Sequence, residues 1–253
     1  MKWIVCGKGG SGKSTLAVLI SRALARLERR VLLVDADESN LGLHRLAGVP
    51  PAATLLETLG GKSGLRRLAA DPLESSVACG LFYQNAFRLD DVPTSCTAAL
   101  GGLQLLKIGK IQRFGEGCAC PMGGLLRPFL ANLQDGPSDR VIVDTAAGIE
   151  HFGRNIDANC DRIIGVIDPT FESFKLAKKL VVLCREADRP LSFVLNKADQ
   201  RMRAALGQFI DPQTIQAEVP MYEALFMAGL EGRPIDMDAP EVDELVRRLE
   251  GEA

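Results

Sequence analysis

The chain has 253 residues, 47% of them hydrophobic and 25% charged, enough to bury a core without disulfide or metal staples. Its 30 basic and 32 acidic residues leave a net charge of −2 with no basic block, which argues against nucleic acid as a partner. No apolar run reaches the roughly 20 residues of a transmembrane helix, and MKWIVCGKGG turns glycine-rich too soon for a signal peptide, so a cytoplasmic protein with reduced thiols is expected.

In chain order, short β-branched runs alternate with helical patterns. KWIVC (2–6) predicts a strand, then a glycine-rich turn, then a helix over 13–28. RVLLVDA (30–36) predicts the second strand. Residues 50–100 interrupt the alternation: they are rich in Pro, Gly and Ala and weakly periodic, and read as a helical excursion with loops within a single domain spanning 1–253. Beyond them come strands LQLLKIG (103–109), RVIVDT (140–145), RIIGVID (162–168), LSFVLN (191–196) and TIQAEVP (214–220). Helices are expected over 124–134, 172–186, 200–207, 221–228 and 240–250. Runs such as VLLVDA do not alternate polar with apolar, so both strand faces are buried, as in parallel sheets covered by helices. The predicted fold class is therefore α/β, a doubly wound, mainly parallel sheet flanked by helices. Gly7, Asp35, Asp144, Asp168 and Asn196 end strands, where the ligand crevice of such a sheet lies.

After the first strand stands GKGGSGKST, in which Gly7, Gly12, Lys13 and Ser14 match G-x-x-x-x-G-K-[ST]. Glycines let successive N–H groups turn toward phosphate oxygens, and the helix that follows offers its positive dipole end to the same anion. Lys13 supplies a point charge for the terminal phosphates, and the Ser14 hydroxyl a ligand for magnesium. The nucleotide-binding set expected from this stretch is Gly7, Gly9, Gly10, Ser11, Gly12, Lys13, Ser14 and Thr15. A glycine turn that binds nothing is the bland alternative, and its place between a buried strand and an amphipathic helix weighs against it.

Lys8 is a second lysine, five residues before Lys13. The stretch resembles the deviant Walker A motif, KGGxGK[TS], of the MinD/ParA, ArsA and nitrogenase iron protein group. That resemblance implies a P-loop NTPase fold of the MinD-like (SIMIBI) class, Mg-ATP as ligand, and a homodimer in which Lys8 reaches the partner's nucleotide. A cation supplied in trans neutralises charge on the transferred phosphoryl and joins nucleotide binding to dimer closure; otherwise Lys8 is a solvated surface charge. In VDADESN the resemblance makes Asp37 the switch I residue that orients or deprotonates water, with Asp35 close to the magnesium shell. Lys8, Lys13 and Asp37 are thus the expected catalytic residues. VIVDTAAGIEH (141–151) resembles switch II, with Asp144 holding magnesium through water and the Gly148 backbone sensing the γ-phosphate. In LNKAD, Asn196 would touch adenine, with Lys197 beside it. Because N-K-x-D with Asp199 is also a guanine signature, ATP and GTP both stay open, with the family favouring ATP.

FGEGCACPMGG (114–124) places Cys118 and Cys120 one residue apart in a flexible setting. Under reducing conditions such a pair points to metal or redox chemistry. Two copies about a twofold axis would bring four thiolates together, a set suited to zinc, nickel or an iron–sulfur cluster. The bland reading is two small buried residues in a turn. The chain resembles CooC-type ATPases, which carry a CxC pair before switch II and AGIEH within it, here residues 147–151. The resemblance implies an ATP-driven metallochaperone that holds Ni2+, or Zn2+ as a stand-in, at intersubunit Cys118 and Cys120. Its client would be a nickel enzyme such as carbon monoxide dehydrogenase. The alternatives are a ParA/MinD-like positioning ATPase and an iron–sulfur electron carrier like the nitrogenase iron protein. For the latter, the next cysteine after Asp144 is Cys160, outside DTAAGIEH, which disfavours that cluster. Cys6 and Cys184 read as core, His44 lies just beyond switch I on a short helix, and His151 reads as a hydrogen-bonded surface or interface residue. The C-terminal helix gathers Val242, Leu245, Val246 and Leu249 on one face, but five acids and only two arginines follow Pro240, so it reads as packed on the domain rather than as a membrane anchor.

Overall fold

A computed structural model describes residues 1–70, 86–110, 120–149, 152 and 156–251. Among the described residues, eight strands form one sheet: β1 (Lys2–Gly7), β2 (Arg30–Ala36), β3 (Thr97–Leu100), β4 (Leu103–Lys107), β5 (Asp139–Thr145), β6 (Arg162–Ile167), β7 (Leu191–Ala198) and β8 (Ile215–Pro220). Their order is β3-β4-β2-β5-β1-β6-β7-β8. Every pairing is parallel except the hairpin β3–β4. The expected doubly wound, mainly parallel sheet is what the chain forms.

The strands are apolar on both faces because each face has its own helical layer, and residue parity sorts them. Trp3 and Val5 of β1, Val31 and Leu33 of β2 and Ile142 of β5 enter one core. The same core takes Leu16, Ile20 and Leu24 of α1 (Lys13–Arg26), and Val242, Leu245 and Val246 of a C-terminal helix, Pro240–Glu250. Ile4, Cys6, Leu32, Val34, Val141 and Val143 point the other way. They meet Leu125 and Phe129 of the helix Cys120–Asn132, Phe174 and Leu180 of the helix Phe171–Glu186, and Leu206 of the helix Gln200–Leu206.

The helices are numbered α1, α2 (Leu43–Ala47), α3 (Leu55–Thr58), α4 (Gly61–Ala70), α5 (Cys120–Asn132), α6 (Phe171–Glu186), α7 (Gln200–Leu206), α8 (Glu223–Glu231) and α9 (Pro240–Glu250). Thr54 caps α3 with a reciprocal box to Glu57, and Thr170 caps α6. Cys6, Cys160 and Cys184 are free and buried, so the core reading of Cys6 and Cys184 agrees with their placement.

Element ends shift by a few residues against the sequence reading, and two departures stand out. The strand expected over 103–109 ends at Lys107, after which the Ile108 N–H donates to the Asp35 carbonyl at 3.0 Å and the chain leaves the sheet. Helices α3 and α4 lie in the 50–100 excursion, but so does β3, which that reading missed. TAAL is short and half alanine, a weak strand signal. The clue was Leu100-Gly101-Gly102-Leu103, whose two glycines have φ of 57° and 84° and close a two-residue hairpin with Leu100 opposite Leu103.

β1 lies between β5 and β6, so the loops leaving its carboxyl end and theirs diverge to opposite sides. A crevice opens at this switch point.

Candidate functional site

The phosphate loop joins β1 to α1. Its shape depends on two close approaches. A Cβ on Gly7 would lie 2.4 Å from the Val166 carbonyl oxygen, and one on Gly12 would lie 2.1 Å from Asn196 Nδ2. Gly12 also caps α1 in the left-handed region at φ 96°, without a side-chain cap. The amides of the first turn are therefore not claimed by a capping side chain, and that turn holds no acidic residue. Lys13 is buried and folds back, its Nζ donating to the Lys8 carbonyl at 3.2 Å. Ser11 N–H donates to the same carbonyl at 3.1 Å and closes the turn.

A cleft of about 570 Å³ runs from this loop to the start of α8. Of the residues named from the sequence, Gly9, Gly10, Gly12, Lys13, Ser14, Thr15, Asp37, Asn196 and Lys197 line it. Pro220 at the end of β8, Met221 and Tyr222 after it, and Leu225 and Phe226 of α8 form the far wall. Gly7, Lys8, Ser11, Asp144 and Gly148 stand just behind or beside the lining. Gly148 N–H donates to the Gly7 carbonyl at 3.0 Å, tying the β5 exit to the phosphate loop.

The polar groups cross-link the strand ends. Ser14 Oγ donates to Asp144 Oδ2 at 2.6 Å and accepts from Asn40 Nδ2 at 2.9 Å. Asp37 accepts from Ser39 N–H and Oγ at 2.9 and 2.6 Å, leaving its carboxylate half-buried at the cleft wall. Asp35, expected near the magnesium shell, stands in register beside Asp144 and meets the ammonium of Lys110 at 2.7 Å. Asn196 Nδ2 donates to the Ser11 carbonyl at 2.7 Å, and Lys197, at φ 56°, donates to the Gly10 carbonyl at 3.0 Å. Both residues thus brace the phosphate loop from β7. Asp199 accepts from the N–H groups of Arg201 and Met202 as the cap of α7, and it is absent from the cleft wall, so it is not poised to read a guanine edge.

Lys8 turns toward its own chain, with Nζ 3.4 Å from Asp168 Oδ2 and 3.3 Å from Thr170 Oγ1. Burial pushes the Asp168 carboxyl up, but hydrogen bonds from Ser173, Thr170 and Lys8 outweigh it and hold the group below the usual carboxylate range. Deeper in, burial wins. It pushes Asp144 up to about 7 despite the Ser14 bond and Lys13, with Asp35 and Asp37 adding repulsion. It pushes Asp35 up to about 6 despite Lys110. Asp144 combines burial, a raised pKa and an oxygen without a hydrogen-bond partner beside a lysine-bearing loop, the pattern of a functional carboxylate.

The residues fit magnesium on one specific point: Asp144 Oδ1 is buried and lacks a hydrogen-bond partner, beside the Ser14 hydroxyl. A carboxylate and a hydroxyl are the hard oxygen donors that this ion takes. Cys118 and His151 lie outside the described residues, and Cys120 opens α5 with its side chain outside them. Among the described residues, no group of three or more His, Cys, Asp or Glu gathers for a metal.

A left-handed glycine cradle at the start of α1, a lysine over it and a serine–aspartate pair beside it define a P-loop ATPase. Residues 3–235 match the CobQ/CobB/MinD/ParA nucleotide-binding domain family. The chain is 36% identical to an uncharacterized ATP-binding protein of Methanocaldococcus jannaschii, over 98% of this chain and 99% of that one. It is 33% identical to the carbon monoxide dehydrogenase accessory protein CooC of Rhodospirillum rubrum, over 79% of this chain and 80% of that one. In fold it is similar to the septum site-determining protein MinD of Pyrococcus horikoshii, solved with Mg-ADP, at a TM-score of 0.70 and 20% identity, covering 98% and 94% of the two chains. The protein belongs to the CobQ/CobB/MinD/ParA family.

Three participants escaped the sequence reading of the site. Asn40, within the quoted VDADESN, reaches Ser14. The Pro220–Tyr222 wall follows a strand whose end carried no motif. Lys110 follows a strand end with nothing periodic to flag it, and its partners are distant in sequence.

Proposed function

We propose that the protein is an ATP-hydrolysing, dimeric metallochaperone of the CooC type, acting in the cytoplasm on a client nickel enzyme, carbon monoxide dehydrogenase or a relative. The observation that carries this reading is the 33% identity to CooC across most of both chains, in a sequence that also keeps the Cys118–Cys120 pair. The chain would act as one unit, with the nucleotide cleft at the carboxyl ends of its strands. ATP is favoured over GTP by the family, and because Asp199 caps α7 through Oδ1 and does not line the cleft.

In this reading the backbone of Gly9–Gly12 and the first turn of α1 hold the phosphates. Lys13 swings from the Lys8 carbonyl onto the terminal phosphate oxygens. Ser14 and Asp144 would hold magnesium, which when bound neutralises charge on the β- and γ-phosphates. Asp37 orients the attacking water from the cleft wall, and Gly148 registers the γ-phosphate beside Gly7. Asn196, with the Tyr222 wall, bounds the base. Lys8 leaves Asp168 and Thr170 to reach the nucleotide of a second copy. Closure of that dimer brings Cys118 and Cys120 of both copies around one Ni2+ or Zn2+ ion, and hydrolysis lets them part, so metal and nucleotide favour the same closed state.

Metal analysis with and without ATP tests this, comparing wild type with Cys118→Ala/Cys120→Ala. One metal per two chains, lost in the double variant, is the expected result. A wild type that holds no metal with ATP present removes the metallochaperone reading and leaves an ATPase. Lys8→Ala, followed by light scattering, separates the two halves of the idea: nucleotide-driven dimers should vanish.

A further inference from the structure

Lys110 is a buried cation outside every motif. Its side chain is 5% exposed, and that of Asp35 is 1% exposed. Nζ lies 2.7 Å from Asp35 Oδ1 and donates to the Asp37 carbonyl at 2.5 Å. It arrives there because β4 pairs with β2 up to Asp35–Lys107, and the Ile108 N–H then donates to the Asp35 carbonyl at 3.0 Å. This hook brings the chain across the end of β2. One ammonium therefore grips two points, the side chain of Asp35 and the backbone of Asp37.

A charge pair that served only to fill the core would end at the carboxylate. Here the second contact is to the residue whose carboxylate lines the cleft. The far side of the same loop is also held, since Asn40 reaches Ser14 at 2.9 Å. The run from Asp35 to Asn40 is thus clamped between Lys110 on one side and the phosphate loop on the other. A carboxylate that must place a water within a fraction of an ångström depends on such a clamp, because small displacements cost large factors in rate.

We propose that Lys110 is a positioning residue for hydrolysis, one that fixes the Asp37 backbone so that the Asp37 carboxylate faces the terminal phosphate. The role rests on the reading of Asp37 given above. Lys110 touches neither nucleotide nor water; it acts through Asp37.

The test is kcat per nucleotide-binding site, counted by titration with a fluorescent ATP analogue so that unfolded protein drops out. Lys110→Met is expected to lower it about 10- to 100-fold while Kd for the analogue changes by no more than about threefold. Lys110→Arg, which keeps the charge and the donors, should recover most of the loss. Asp35→Asn/Lys110→Met removes the buried pair as a whole and so relieves the unpaired carboxylate left by the single change. It restores the melting temperature but should stay slow, because the Asp37 carbonyl still lacks its donor. Wild-type kcat per site in the double variant overturns the proposal and assigns Lys110 to stability alone. Asp37→Ala with undiminished kcat overturns the reading of Asp37 and this role with it, so the two failures are distinguishable.

Discussion

Buried acids are treated in opposite ways at the two ends of this molecule. At the end of α9, Glu250 receives Arg140 through Nε at 2.6 Å and a second nitrogen at 2.7 Å, and Arg29 at 2.8 Å. Burial pushes its carboxyl up, yet the two guanidinium groups overcome that and hold it below the usual range. At the cleft, Asp144 has a serine hydroxyl on one oxygen and nothing on the other, and burial carries it up to about 7. Both are enclosed acids, one at the end of α9 and the other near the end of β5. The difference is that one is finished by the chain itself and the other awaits a cation, and that separates a structural acid from a functional one.

The contrast is broken most directly at Asp144. Asp144→Asn should lower hydrolysis about 100-fold or more, since the hard oxygen ligand is weakened. It should also stabilise the ligand-free protein at pH 8 by about 1–2 kcal/mol, or roughly 2–8 °C in Tm. The sign follows from the raised pKa: the fold prefers the protonated acid, so each rise in pH from about 3.8 to about 7 costs the wild type stability. Scanning calorimetry across that window should show a falling Tm in the wild type and a flatter profile in the variant. Part of the residual slope belongs to Asp35, whose carboxyl stands at about 6.

Glu250→Gln sharpens the other side. Urea unfolding at pH 7 should show a loss of about 2 kcal/mol, because two charge-assisted hydrogen-bonding partners lose their anion. This carboxyl is depressed, so its contribution is complete above the ordinary glutamate range and fades as pH falls through the lowered value. Wild type and variant should therefore converge in acid, while hydrolysis per binding site is unchanged. The smallest effect is expected at Lys8, a partly exposed cation 3.4 Å from Asp168. Lys8→Ala should move stability by no more than about 0.5 kcal/mol. A loss above about 2 kcal/mol by the same urea measurement would make Lys8 structural, like the arginines around Glu250.

Much of the scaffold was legible because each central strand is buried on both faces and reads as an unbroken apolar run. The phosphate loop was legible because its chemistry is contiguous in sequence. β3 was not, since two alanines carry little strand preference and the Leu-Gly-Gly-Leu signal sits at its end. Lys110 was not, since its Asp37 contact spans 73 residues. Asn196 was flagged for a base contact, whereas the contact its amide makes in the structure is to the Ser11 carbonyl, which only the close approach of β7 to the loop reveals. Cys118 and Cys120 remain a sequence argument, strengthened by the CooC relationship and lying outside the described geometry.

The margins of the sheet carry a final consequence. One border is the four-residue hairpin arm β3, running against the others. The opposite border, β8, ends at Pro220, slips register twice against β7, and has its Gln216 carbonyl taken by Arg248. Neither rim offers a long, regular template for another backbone to zip onto, so lateral stacking into fibrous aggregates is penalised at both. Any association between copies that the proposed cycle calls for would then have to use surfaces other than these two strand edges.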